Sequence, residues 1–272
     1  MFFGGIDIGS LTVDMVIVDG SEKIVAYNII HTGANSRVAA RKCFDETLEK
    51  AGITEGDLKF IVATGYGRVS VPFAGRAVTE ITCHGRGAFR LFPETRTVID
   101  IGGQDSKVIK LGGGGKVADF VMNDKCAAGT GRFLEVMARA LEIELDEMGE
   151  MSLNSKNDIA ISSMCTVFAE SEVISLVAEA TPKEDIINGI HNAICSRIVG
   201  MVDRLGKEEE VTITGGVAKN RGIVETLQKK LGAKLNVPDE PQIAGAIGAA
   251  LIAKETAEKP RDPRLNRNYA KG

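Results

Sequence analysis

Residues 96–124 read RTVIDIGGQDSKVIKLGGGGKVADFVMND, three segments rich in Val and Ile that are separated by Gly-rich turns. The opening of the chain has the same pattern in FFGGIDIG, LTVDMVIVDG and KIVAYNIIHTG, with Asp7-Ile8-Gly9 in the place of Asp100-Ile101-Gly102. β-Branched residues favour strands, and Gly favours the tight turns between them. The two stretches therefore predict an internal duplication, in which each half of the chain begins with three strands.

Helical spacing of apolar residues predicts helices at 35–51, 131–141, 166–180 and 182–205, and two closing helices after the strand EEVTITGG. The four glycines at 112–115 lie between two predicted strands and are interpreted as a flexible hairpin turn. We expect an α/β protein with a first half at 1–96, a second half at 97–257 and a flexible tail at 258–272. The last helix could pack back on the first half. A ligand is expected in the cleft between the halves, since α/β sheets bind ligands beyond their strand ends.

The composition indicates a soluble protein. The 272 residues carry a net charge of −4, and the basic residues are scattered, which disfavours binding to nucleic acid or to a membrane surface. The longest apolar stretches, such as 244–253, are too short and too rich in Gly to span a bilayer. No signal peptide follows Met1, so we expect a cytoplasmic location.

Three turns carry groups that suit a nucleotide. The first offers backbone N–H groups and two hydroxyls to an anion, through Gly9, Ser10, Leu11 and Thr12. In the second, Gly102 and Gly103 can clamp a terminal phosphate, and Asp100 and Gln104 can position an attacking water. The third precedes a helix and suits adenosine and the α-phosphate, through Gly215, Gly216, Val217 and Asn220. Asp7 and Asp100 can hold Mg²⁺ through water, so the predicted catalytic residues are Asp7, Asp100 and Gln104.

In order and spacing, these turns resemble the phosphate-1, phosphate-2 and adenosine motifs of the superfamily that contains acetate and sugar kinases, heat-shock ATPases and actin. The resemblance covers nearly the whole chain. It implies a duplicated actin-like (ribonuclease H-like) fold whose halves close around ATP and Mg²⁺. The sequence has neither a G-x-x-x-x-G-K-[ST] loop nor a strand–GxGxxG–helix unit, so the two commonest alternative nucleotide folds are not supported.

The five cysteines are widely spaced. Cys43 and Cys195 lie on apolar helix faces and are interpreted as core residues, and Cys83-His84 is weak support for a metal site. Cys126 and Cys165 precede helical patterns, where a helix dipole lowers a thiol pKa. The residues alone leave both burial and metal binding open for this pair.

Other polar residues give weaker signals. Arg132 and Glu135 could reach the ribose or adenine, although a solvated helix face explains them equally well. His31 and His191 have no plausible catalytic partners in the sequence and receive no role.

The segments around Cys126 and Cys165, NDKCAAGTGRFLE and SSMCTVFAESEV, resemble the cluster-binding segments of the ATP-dependent activators of 2-hydroxyacyl-CoA dehydratases. Those activators are related to the ATP-binding subunits of benzoyl-CoA reductase. The resemblance implies a homodimer in which both cysteines of each copy hold one shared 4Fe–4S cluster. It also implies that ATP hydrolysis drives one electron, delivered by ferredoxin or flavodoxin, into the dehydratase, and that the cluster is oxygen-sensitive.

Three alternatives stay open at this point: a small-molecule kinase of the same fold, a regulatory or chaperone-like ATPase without a cluster, and a subunit of a benzoyl-CoA reductase type of enzyme. The sequence does not indicate which acyl-CoA a partner dehydratase would use.

Overall fold

The computed structural model describes residues 1–123, 126–162 and 165–258. Four residues of the two cysteine motifs, Asp124, Lys125, Ser163 and Met164, lie outside the described residues. The predicted flexible tail also lies outside them, apart from Glu258, which ends the last helix.

Two five-stranded mixed sheets form the described structure, and they share one topology. The first has the order β3-β2-β1-β4-β5 and the second the order β10-β9-β6-β7-β8. In each sheet the first three strands along the chain are antiparallel. The first of them also pairs in parallel with a fourth strand, which pairs in parallel with a fifth. The strands are β1 (Phe2–Ile8), β2 (Thr12–Asp19), β3 (Ile24–His31), β4 (Leu58–Thr64), β5 (Arg76–Ala77), β6 (Thr97–Ile101), β7 (Ser106–Leu111), β8 (Val117–Asn123), β9 (Val211–Thr214) and β10 (Leu235–Asn236). The duplication read from the sequence is therefore present in the strand order.

Eight helices accompany the sheets in the described part of the chain. They are α1 (Ser36–Ala51), α2 (Glu80–Leu91), α3 (Gly131–Ala140), α4 (Met148–Leu153), α5 (Thr166–Ala178), α6 (Lys183–Leu205), α7 (Arg221–Leu231) and α8 (Ala244–Glu258). The predicted helices are confirmed within two residues, whereas α2 and α4 were not predicted. α1 has clear local signals: the Asn35 side chain accepts the Val38 N–H at 3.2 Å, and Gly52 ends the helix at φ +66°.

Helices α2 and α8 lie between the sheets. α8 packs on β1, β2 and β4 of the first sheet, while α2 contacts α8 and also the second sheet. Two glycines allow the helices to approach closely, because a Cβ on Gly87 would overlap the carbonyl oxygen of Ala244, and one on Gly248 that of Cys83. α2 therefore connects the two sheets directly below their turns.

Three of the cysteines are core residues. Cys43 and Cys195 are fully buried, as predicted, and so is Cys83. Burial raises the pKa of each of these thiols to about 12, which keeps them protonated and unreactive.

Candidate functional site

A cleft of about 870 Å³ lies where the turns of the two sheets face each other. It is lined by every residue that the sequence predicted for the nucleotide and for catalysis: Asp7, Gly9, Ser10, Leu11, Thr12, Asp100, Gly102, Gly103, Gln104, Gly215, Gly216, Val217 and Asn220. The fold thus brings three distant segments of the chain to one cavity.

The first two turns have the same backbone geometry. The Gly9 N–H donates to the Thr12 carbonyl at 2.9 Å, and the Gly102 N–H donates to the Asp105 carbonyl at 2.9 Å. Each turn joins an antiparallel strand pair, β1–β2 in one half and β6–β7 in the other. Equivalent backbone groups of the two halves therefore border the cleft from two sides.

The three predicted elements are in direct contact. Gly103 packs against Leu11, and a Cβ at Gly103 would lie 2.6 Å from that side chain. Gln242, which the sequence did not single out, donates from Nε2 to the Thr12 hydroxyl at 2.9 Å and lies beside Gly216. The cleft accordingly has a continuous base, made by all three elements.

Asp7 and Asp100, here called the motif aspartates, precede the first two turns, and their cross-strand partners differ in charge. Asp7 is paired in register with Asp14, and Asp100 with Lys107. His84 of α2 lies between the aspartates, with Nε2 3.4 Å from Asp7 Oδ2 and Nδ1 3.1 Å from Asp100 Oδ1. All five side chains are buried and line the cleft.

The Asp100 carboxylate is almost fully engaged. Its Oδ1 accepts the Thr214 hydroxyl at 2.9 Å and its Oδ2 accepts the Lys107 ammonium at 3.1 Å. Burial would raise the Asp100 pKa, but the charges of His84 and Lys107 outweigh burial and hold this pKa far below its usual range. Asp100 therefore stays ionised and can orient a cation or a water, but it is a weak general base. Gln104, exposed on the same turn, is the more open of the two residues predicted to position water.

His84 and Asp14 are perturbed in different ways. Burial would lower the His84 pKa, but Asp100 and Asp7 outweigh it and raise the pKa to about 10. Burial, followed by the charge of Asp7, raises the pKa of Asp14 well above its ordinary value. Asp14 accepts from Thr12 and from Gln242, both at 3.3 Å. Two buried carboxylates next to each other indicate a place where a cation is favourable.

The third element presents a helix start to the cleft. Gly215 has φ +86° and donates its N–H to the Pro241 carbonyl at 3.0 Å. Asn220 is the N-cap of α7, accepting the Ile223 N–H at 3.0 Å through Oδ1, and its Nδ2 lies 3.3 Å from His191 Nε2. The positive end of α7 is therefore available to a phosphate or ribose oxygen.

The second turn is bonded to the start of α3. The N–H groups of Gly131 and Arg132 donate to the carbonyls of Gly102 and Gly103 at 2.9 and 2.8 Å. Glu135, one turn further along α3, lines the cleft and is paired with the Arg132 guanidinium at 2.7 Å. Of the two residues predicted to reach ribose or adenine, Glu135 thus borders the cleft.

Cys126 and Cys165 lie away from the cleft lining. Cys126 is half-buried in the loop before α3, where its carbonyl accepts from the Asn123 side chain at 3.0 Å. Cys165 is exposed and directly precedes α5. α3 begins five residues after Cys126, and its first N–H groups are bonded to the second turn. Of the two cysteines expected at helix starts, the structure therefore places Cys165 at one and Cys126 five residues before one.

Polar residues at the cleft that sequence reasoning did not assign to it include Asp14, Glu80, His84, Asp105, Lys107 and Gln242. A signal existed for two of them, since Asp14 and Lys107 each follow a motif aspartate by seven residues in the duplicated pattern. His84 was noted only in the Cys83-His84 pair, as weak support for a metal site, because α2 reaches the aspartates through tertiary packing alone.

Residues 5–253 match the model of the BadF/BadG/BcrA/BcrD ATPase family. The chain belongs to this family. It is 46% identical over 95% of its length to the 2-hydroxyisocaproyl-CoA dehydratase activator of Clostridioides difficile, with 97% of that protein covered. It is 36% identical to a benzoyl-CoA reductase subunit from Thauera aromatica, with 94% of each chain covered.

The structure agrees with this assignment to the ATPase family. It superimposes with a TM-score of 0.91 on the activator of the 2-hydroxyisocaproyl-CoA dehydratase from Clostridium difficile with bound ADPNP, at 44% identity over 96% of this chain and 100% of that one. The predicted fold class is confirmed, since actin-like ATPase and sugar-kinase folds are among the structural neighbours. Within the described residues, no helix is both long and apolar enough to span a bilayer.

Proposed function

We propose that the chain binds ATP with Mg²⁺ in the cleft, hydrolyses it, and drives one electron from a 4Fe–4S cluster, shared by two copies of the chain, into a 2-hydroxyacyl-CoA dehydratase. The observation that carries the proposal is the convergence of three nucleotide-type turns on one acidic cleft whose second turn is bonded to the cysteine-bearing segment. The kinship with dehydratase activators gives the direction of the chemistry.

The side chains of the cleft fit Mg²⁺. Asp7, Asp14 and Asp100 offer carboxylate oxygens, and Gln104 offers an amide oxygen, which are the ligands that this hard cation prefers. In the described residues no group of three or more Asp, Glu, Cys or His side chains is placed to hold a metal ion by itself. Mg²⁺ usually keeps several waters and is bound through one or two carboxylates together with substrate phosphates. We assign Asp7 and Asp100 to hold Mg²⁺ through water. When bound, Mg²⁺ would screen the phosphate charge.

The two open cysteines fit a cluster shared across a dimer. Each copy has one half-buried thiol, Cys126, and one exposed thiol, Cys165, so two copies provide the four thiolates of a 4Fe–4S site. α5, which begins after Cys165, leaves Val167 and Phe168 66% and 67% exposed. Large apolar side chains at that position favour coverage by a second copy. The cluster would supply the one-electron carrier.

The bonds between the second turn and α3 provide a route for coupling. Loss of the terminal phosphate would change the contacts of Gly102 and Gly103, whose carbonyls hold the first two N–H groups of α3. Movement of this turn would therefore displace the loop that carries Cys126. Moving one electron to a more negative potential costs about 1.4 kcal/mol per ~60 mV, so hydrolysis can provide a shift of a few hundred millivolts.

Iron and sulfide analysis of anaerobically purified protein tests the cluster. We expect about four irons per two chains in the wild type, loss of iron in Cys126→Ser and Cys165→Ser, and full iron in Cys43→Ala, a matched buried-cysteine control. An iron-free wild type with phosphotransferase activity would instead support a small-molecule kinase. A wild type that hydrolyses ATP without iron, and whose function survives Cys126→Ser, would support a regulatory ATPase.

The benzoyl-CoA reductase type of assembly is the second candidate, and it is supported by the relationship to the Thauera aromatica protein. Activation assays with ATP and a low-potential reductant separate the two candidates. Reduced ferredoxin and flavodoxin are the donors to compare. Activation of a dehydratase by this chain alone supports the first candidate, whereas activity that requires an unlike partner protein supports the second.

A further inference from the structure

Lys107 is a buried ammonium group in a mainly acidic cleft, which also contains the buried cationic side chain of His84. Among the described residues that line the cleft, eight are Asp or Glu and two are Lys. The second of these, Lys219, is half-exposed and paired with Glu240 at 2.8 Å. The Lys107 side chain is only 3% exposed, so its charge is screened far less by water.

The ammonium of Lys107 is held by three carboxylates. It lies 2.8 Å from Asp105 Oδ1, 3.1 Å from Asp100 Oδ2 and 3.7 Å from Glu80 Oε2. An ammonium has three donors, and the Glu80 contact is longer than a hydrogen bond. One N–H can therefore be given to a phosphate oxygen or to a water without breaking the two short contacts.

Lys107 also contacts the second turn indirectly, through the Asp105 side chain. The Asp105 side chain that it holds lies against Gly102, where a Cβ would be 2.8 Å from Asp105 Oδ1. Loss of the ammonium would remove a positive charge from beside both Asp100 and Asp105, and His84 would then be the cation left next to Asp100. Both carboxylates lie next to Gly102 and Gly103, the predicted clamp of the terminal phosphate.

We propose that Lys107 is a positioning residue that acts as the built-in counter-cation of the phosphate end of the cleft. It fixes Asp100 and Asp105 around the second turn and offsets their charge, so that a nucleoside triphosphate can enter. The proposal rests on the proposed function, since it requires ATP in this cleft. A polyanion should depend on Lys107, whereas an uncharged ligand of the same cleft should not.

The test compares ATP with adenosine, both measured by calorimetry in the presence of Mg²⁺. In Lys107→Met we expect ATP affinity to fall about tenfold or more, with adenosine affinity within about twofold of the wild type. Lys107→Arg, which keeps the charge, should recover most of the ATP affinity. Lys110→Met is the matched control, because Lys110 lies on the same strand but is paired with Glu208 at the surface, and it should leave both affinities unchanged.

Equal losses for ATP and adenosine in Lys107→Met, or no loss for either, overturn the proposal. If that variant does not fold, Lys107→Gln is measured in the same way. If neither neutral variant folds while Lys107→Arg does, the charge serves the fold and the proposal is again overturned. A wild type that binds neither ligand refutes the proposed function itself, so the two failures are distinguishable.

Discussion

His191 should make the protein sensitive to acid. The ring is fully buried on α6, and Nε2 lies 3.3 Å from Asn220 Nδ2. The Asn220 oxygen is already used by the Ile223 N–H, so its amide nitrogen faces the ring and Nε2 must accept. Only a neutral imidazole can do so. In agreement, burial lowers the pKa of His191 to about 3.

The size of the effect follows from proton linkage. The unfolded chain takes up a proton near the ordinary histidine pKa of 6.5, while the folded protein does not until about pH 3. Because the folded pKa is depressed, stability is lost as the pH falls below 6.5. Between pH 7 and pH 5 the loss attributable to His191 is about 2 kcal/mol.

His191→Gln removes the titration but keeps an acceptor for Asn220. The variant will be less stable than the wild type at pH 7, since ring packing is lost, and this deficit should shrink by about 2 kcal/mol at pH 5. Urea unfolding followed by circular dichroism at both pH values measures it. The deficit is the difference in free energy of unfolding between wild type and variant at one pH. Groups that titrate in the same way in both proteins contribute equally to both and do not change this difference. His31→Gln, at an exposed position, is the control and should show no such change. A deficit that is equal at pH 7 and pH 5 would refute the assignment of a neutral buried ring.

Two further predictions concern stability. Gly248→Ala should lower the free energy of unfolding by about 3 kcal/mol, because its Cβ would overlap the carbonyl of Cys83 where α2 crosses α8. Gly113→Ala, in open space, should change it by less than about 0.5 kcal/mol, and thermal melts compare the two. Asp185→Asn should lower the melting temperature by several degrees at pH 7, because this carboxylate accepts four hydrogen bonds from 155–157. Those bonds, the Asn157 side chain first, hold the pKa of Asp185 well below its usual range. The stability that they give is fully present above about pH 4 and decreases as the pH falls towards the lowered pKa. A deficit in Asp185→Asn that is as large at pH 2 as at pH 7 would therefore contradict the assignment.

The architecture could be predicted because its signals are local. Alternating β-branched residues, Gly turns and helix caps act within a few residues, and each occurs twice because the chain is duplicated. The cap at Asn35 and the helix end at Gly52 allowed both bounds of α1 to be predicted within one residue. The turns that line the cleft could also be predicted, because a turn between two adjacent strands always lies at an end of the sheet.

The polar centre of the cleft could not be predicted in the same way. His84 comes from α2, whose position depends on the crossing with α8, about 160 residues further along the chain. Gly87 and Gly248 allow that crossing because each packs against backbone atoms of the other helix. A short stretch of sequence does not contain both partners. Gln242 likewise contacts Thr12 from 230 residues further along the chain.

The residues seven positions after Asp7 and Asp100 could have been predicted to face those aspartates. That prediction requires the two halves to be aligned as equivalent strand pairs. In the first half this residue is Asp14 and in the second Lys107, each in register with its aspartate. A duplication that kept the same residue at both positions would place either four carboxylates or two ammonium groups around one cavity. On the proposed function, the divergence gives one half the oxygen ligands that a cation needs and the other half the charge that a phosphate needs. The two halves are equal in topology but opposite in electrostatics at this position, and a nucleotide with its metal ion needs both.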